Sequence, residues 1–110
     1  MPHCLLHDLA AFAKGLQQPR VLLFKHSPVC PISADAHAHY EAFRREVPDV
    51  PTMFVDVISD RAVARGIAEA CGVRHESPQA ILFELGKPVW HASHHAITLG
   101  SLHAAWAPRC

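Results

Sequence analysis

Cys30 is followed at once by Pro31 and, two residues later, by Ser33. That spacing is the one arrangement in the chain that points directly to chemistry. The nucleophilic form of cysteine is the thiolate, and a helix start favours an anion through its dipole and its unpaired amides. Pro31 suits the first helical position, where its missing N–H would have no partner, so the pattern predicts Cys30 at the N-cap of a helix over 32–47. The dipole contributes only about 0.3–1 kcal/mol at an exposed site, so local hydrogen bonds must add to it. Ser33 is placed to donate one to the sulfur. It also occupies the position of the second thiol in a Cys-x-x-Cys pair, and a hydroxyl cannot close a disulfide. The expectation is a monothiol nucleophile, Cys30, supported by Ser33. Lys25 and His26, just before the loop, are expected to add positive potential.

The other chemistry-bearing residues are less directed. Of the four cysteines, Cys4, Cys30, Cys71 and Cys110, no two have zinc-ribbon spacing, and a chain with this much core does not depend on disulfide staples. Cys71 ends an amphipathic segment on its apolar side and reads either as a core thiol or as a resolving thiol for Cys30. Cys4 and Cys110 are expected to be exposed and oxidisable, and Cys110 could bridge two chains. Ten histidines are present, including His37-x-His39 and His91-x-x-His94-His95. Two residues apart on a helix, His37 and His39 face different ways and chelate poorly. Surface histidines are the default reading, and no metal site is expected.

The elements that must position Cys30 follow from hydrophobic periodicity. Leu5, Leu6, Leu9, Phe12, Ala13 and Leu16 recur at helical intervals and predict a first helix over about 4–17, ended by Gly15 and Pro19. Val21-Leu22-Leu23-Phe24 is the unbroken apolar run of a strand buried on both faces, and it delivers the chain to the Cys30 loop. Residues 52–57 predict a parallel partner strand reached through the intervening helix. Ser59 or Asp60 can cap a third helix that stops at Gly72. Residues 79–85 and 88–92 read as a hairpin turning at Gly86-Lys87. Thr98 can cap a last helix bearing Leu99, Leu102 and Trp106. The order is α-βαβ-α-ββ-α, one domain over residues 1–110 with its core at about 21–107.

Composition excludes several classes. Lys plus Arg and Asp plus Glu are 10 each, so no basic stripe offers the phosphate-neutralising surface that nucleic-acid binding needs. The apolar runs are too short to span a membrane. The first 15 residues carry His3, His7 and Asp8 and lack a signal-peptide pattern, so a cytoplasmic, unprocessed protein is expected.

Residues 71–83, Cys-Gly-Val-Arg-His-Glu-Ser-Pro-Gln-Ala-Ile-Leu-Phe, with Gly86-Lys87-Pro88-Val89, resemble the second half of thioredoxin-fold proteins. The resemblance implies a thioredoxin-like three-layer α/β/α fold, with a four-stranded mixed sheet and helices on both faces. It also implies that Pro78 is a cis-proline beside the active cysteine and that the Ser77 backbone pairs with substrate. More narrowly, Phe24-Lys25-His26-Ser27-Pro28-Val29-Cys30-Pro31-Ile32-Ser33, together with His75-Glu76-Ser77-Pro78-Gln79, resembles the monothiol bacilliredoxin, or YtxJ, family. Phe24 and Val29 stand where thioredoxins carry an acid and a tryptophan, which sets the chain apart from dithiol reductases.

The family resemblance implies a thiol–disulfide oxidoreductase that removes bacillithiol from protein mixed disulfides, with Cys30 taking it over. Bacillithiol is then the low-molecular-weight co-substrate, and no cofactor is tightly bound. The implied partners are bacillithiolated proteins, together with bacillithiol or a bacilliredoxin reductase system. Lys25, His26, Pro31, Ser77 and Pro78 are the expected substrate-binding residues, Lys25 and His26 through the carboxylates of the bacillithiol malate group. Two other readings use the same position: an iron–sulfur carrier of the monothiol glutaredoxin kind, and an interaction module in which Cys30 is inert.

Overall fold

The computed structural model describes residues 4–107; Cys110 lies outside them. Five strands form one sheet in the order β1-β3-β2-β4-β5. They are β1 (Cys4–Leu5), β2 (Arg20–His26), β3 (Thr52–Asp56), β4 (Gln79–Glu84) and β5 (Lys87–Ser93). β1, β2 and β3 are mutually parallel, β4 runs antiparallel to β2, and β5 runs antiparallel to β4. The helices are α1 (Leu9–Gly15), α2 (Pro31–Glu46), α3 (Arg61–Cys71) and α4 (Leu99–Trp106), with a 3-10 turn over His94–Ala96.

The strand pleat sorts the core into two halves, because successive side chains point to opposite faces. Val21 and Leu23 of β2, with Met53, Val55, Ile81 and Phe83, meet Phe12 of α1 and Val63, Ala64 and Ile67 of α3. Leu22 and Phe24, with Ala80 and Leu82, meet Ala36, Tyr40 and Phe43 of α2 and Leu102 of α4. The result is the expected three-layer α/β/α arrangement with β2 at the centre of the sheet. No helix among the described residues is long and apolar enough to cross a membrane.

Three details correct the expectations. The sheet has five strands, not four, because Cys4 and Leu5 pair with Met53 and Phe54 on the outer edge of β3. The first helix therefore starts later: Asp8 accepts the Ala11 N–H at 2.7 Å and fixes the N-cap, an N-terminal signal stronger than the apolar spacing of Leu5 and Leu6. The β4–β5 turn is Leu85-Gly86, both with positive φ, at 52° and 80°, as a two-residue type I′ hairpin demands. Glu84 then pairs with Lys87.

Other local signals are realised as read. Thr98 forms a reciprocal capping box with Ser101. Gly72 takes the left-handed conformation, φ 73°, that ends α3. It launches the 73–78 segment toward the end of the sheet where β2 also finishes. A Cβ at Gly72 would meet nothing within 4 Å, so Gly72→Ala should cost only the backbone penalty, about 1–2 kcal/mol. Urea denaturation should show this as a lowered midpoint at unchanged m; an unchanged midpoint would contradict the cap assignment.

Candidate functional site

β2 and β4 are adjacent, with Lys25 opposite Gln79. The loop leaving β2 at Ser27 and the loop entering β4 at Pro78 therefore emerge side by side at one end of the sheet. Cys30 lies in the first loop and the Ser77–Pro78 bond, which is cis, in the second.

The Cys30 backbone is extended, φ −104° and ψ 122°, with Pro31 in the first helical turn. A turn from Cys30 N–H to Ser27 C=O, 3.2 Å, and the first helical bond from Ala34 N–H to Cys30 C=O, 3.1 Å, hold it at the helix start. The cysteine is half-buried and free. Pro28, Val29 and Pro31 around it are exposed, Val29 at 79%, so its surroundings are an apolar, solvent-facing rim.

Ser33 is fully buried, at 0% exposure. Its oxygen accepts the Ser27 N–H at 2.8 Å and lies 2.9 Å from Nδ1 of His26. A hydroxyl has one proton, and with the oxygen already accepting, the complementary assignment directs that proton to a neutral imidazole. The hydrogen bonds of Ser33 thus run to Ser27 and His26 where one to the Cys30 sulfur was expected, and they pin the Ser27–Cys30 loop to the end of β2.

Lys25 and His26 are corrected in the same way. Lys25 is 0% exposed and sits on the sheet face opposite His26, with Nζ 3.2 Å from Nδ1 of His75. It cannot reach a carboxylate of a ligand at the Cys30 rim. Burial lowers its pKa to about 8, against an opposing influence of Cys71.

His26 lies under α2, its ring 4.6 Å from that of His37 and 5.6 Å from Phe54. Burial, and then His37, push its pKa below the ordinary 6.5 although Asp56 acts in the other direction. A neutral His26 supplies no positive potential; it supplies an acceptor for Ser33.

Cys71 is half-buried at the end of α3 and packs against the α1/α3 core. Cys4 is exposed on the edge strand. His39 accepts the Leu99 N–H at 2.9 Å and so braces the start of α4. Among the described residues, no three His, Cys, Asp or Glu side chains are grouped to hold a metal ion.

Sequence reasoning meets His37 only as half of a poor chelate, and His75 and Gln79 only as members of the motif that carries the family resemblance, and it gives none of them a positioning role. A signal existed for Gln79: with Lys25 it falls on the core-facing register of otherwise apolar strands, where a polar residue must have a partner.

A family model described as monothiol bacilliredoxin BrxC matches residues 6–102. A solved structure of a candidate oxidoreductase with a thioredoxin fold is 34% identical, with TM-score 0.87 over 94% of this chain and 92% of the other. Mitochondrial thioredoxin 3 of Saccharomyces cerevisiae, in its oxidised form, superposes with TM-score 0.74 at 18% identity over 94% and 92% of the two chains. Thioredoxin f2 of Chlamydomonas reinhardtii gives TM-score 0.73 at 16% identity over 98% and 100%. The two thioredoxins are alike in fold alone.

Removing the Ser33 hydroxyl leaves the Ser27 N–H without its acceptor, so Ser33→Ala should lower stability by about 1–3 kcal/mol. The pinned imidazole also sets a pH dependence. Because folding depresses its pKa below 6.5, the unfolded chain binds more protons than the folded one in the window just below that value. Stability must therefore fall as the pH drops through it. Urea midpoints at pH 7, 6 and 5 should decline, and His26→Asn, which keeps an acceptor but does not titrate, should reduce the slope. An identical slope in that variant would contradict the assignment.

Proposed function

Because this chain belongs to the monothiol bacilliredoxin family, we propose that it is a thiol–disulfide oxidoreductase that removes bacillithiol from mixed disulfides on other proteins. The observation that carries the proposal is the single half-exposed thiol at the head of α2, with a buried, hydrogen-bonded serine where a dithiol enzyme has its second cysteine. Such a site can exchange one disulfide for another but cannot close a disulfide within its own first helical turn.

In the proposed reaction the Cys30 thiolate attacks the bacillithiol sulfur of the target's mixed disulfide in line. A new Cys30–bacillithiol disulfide forms, the old S–S bond breaks, and the target leaves as a thiolate, faster the lower its pKa. The apolar rim of Pro28, Val29 and Pro31 admits the target chain, whose backbone pairs with that of Ser77 as an added strand beside Pro78. Bacillithiol thiolate or a reductase then attacks the mixed disulfide on Cys30 and restores the enzyme. Cys71 is the alternative attacking thiol; its attack on the Cys30 sulfur would release bacillithiol and leave a Cys30–Cys71 disulfide. A reducing compartment such as the cytoplasm suits this cycle.

The test is release of bacillithiol from a bacillithiolated target, followed by the mass of the target. The wild-type chain should return the target to its free thiol, whereas Cys30→Ser should not. Equal release by the Cys30→Ser variant, or none by the wild type, would sink the proposal.

A further inference from the structure

A buried lysine needs an explanation, because an ammonium taken from water loses hydration that only hydrogen bonds or an opposite charge restore. Lys25 is fully buried at the last turn of the sheet before the active loop. Gln79, its neighbour across the β2–β4 ladder, is 1% exposed, and Ser93 is next in register on β5. A polar run therefore crosses β2, β4 and β5 at this end of the sheet on the α1/α3 face, with Val55 beside Lys25 on β3 and the apolar Leu23 and Ile81 beneath.

The side-chain hydrogen bonds of this row grip the 74–78 segment or its neighbour strand. Lys25 Nζ meets His75 Nδ1 at 3.2 Å. Gln79 Nε2 donates to the Arg74 C=O at 2.9 Å and to Ser93 Oγ at 3.4 Å. The segment so held ends in Ser77, whose own hydroxyl is buried without a hydrogen-bond partner among the described residues. His75 is itself held below its ordinary pKa, by burial first and the adjacent Lys25 second. It is therefore an acceptor for the lysine rather than a competing cation. On the other face of the same strand, Ser33 and His26 fix the Cys30 loop.

We propose that Lys25, with Gln79, is the positioning residue for the Ser77 strand, holding the protein substrate's docking backbone in register with Cys30. Its side chain touches neither substrate nor the reacting sulfur. It acts through His75, as Gln79 acts through the Arg74 carbonyl. The inference rests on the reading above that the Ser77 backbone receives the target chain. It also accounts for the cost of the site: a methionine would fill the same space without desolvating a charge, but it would leave His75 without its donor.

The experiment compares wild type, Lys25→Met and Lys25→Gln by two measurements. Backbone hydrogen exchange in the 74–79 segment should be about tenfold or more faster in Lys25→Met, with β2 and β3 unchanged. In Lys25→Gln, whose amide can still donate to His75, protection should stay closer to wild type. In the release assay, the KM for a bacillithiolated protein should rise about tenfold in Lys25→Met while kcat changes little, the signature of lost binding rather than lost chemistry.

Unchanged exchange in both variants overturns the inference, as does a loss confined to kcat. If Lys25→Met does not fold, Lys25→Gln decides by the same two readings: exchange no slower than in a His75→Ala control would overturn it. Should the wild type release no bacillithiol while the segment still loosens in Lys25→Met, the activity proposal falls and the positioning role of Lys25 stands.

Discussion

One oxygen atom ties the active loop to the scaffold. Ser33 Oγ receives the Ser27 amide and meets the His26 imidazole, so the end of β2, the loop and the first turn of α2 share one buried junction. Without it, the Ser27 amide at the start of the Cys30 loop would lose its acceptor. A hydrogen bond of this kind is worth only about 0.5–1.5 kcal/mol net. Its effect is nevertheless large, because it converts the stiffness of a central strand into a fixed position for a sulfur.

The central strand serves both loops because the pleat sends its last two side chains in opposite directions. His26 goes under α2 and secures the Cys30 loop; Lys25 goes under α3 and secures the neighbouring one. Two groups that look from the sequence like a cationic patch are thus divided by the sheet, one neutral acceptor and one buried donor. Neither is available to attract an anion. In the proposed exchange, recognition at the rim would fall to the exposed apolar residues and to backbone pairing.

How much of this could be read in advance follows from the range of each signal. The N-cap position of Cys30, the caps at Gly72 and Thr98, and the buried character of β2 are local, and local chemistry dictates them. The strand at Cys4–Leu5 is two residues long and exists only because the edge of β3 is open to it, a tertiary fact that periodicity does not carry. The hydrogen-bond partners of Ser33, Lys25 and His26 are hidden from the sequence for one reason. Their neighbours along the chain suggested a common loop, while their partners, Ser27 and His26 for Ser33 and His75 for Lys25, depend on which side of the sheet each faces. Alternation along Val21-Leu22-Leu23-Phe24 contained that information for Lys25 and His26, but the run is apolar on both faces and does not show which helix covers which.

In the proposed reaction Cys30 alone takes over the small thiol. The most direct measurement is an acid quench of the reaction with a bacillithiolated target after a single turnover, followed by peptide mapping of the adduct. Bacillithiol on the Cys30 peptide and a free thiol on the target are the result expected of that reaction. A disulfide joining Cys30 to the target protein, with bacillithiol released to solution, would contradict it.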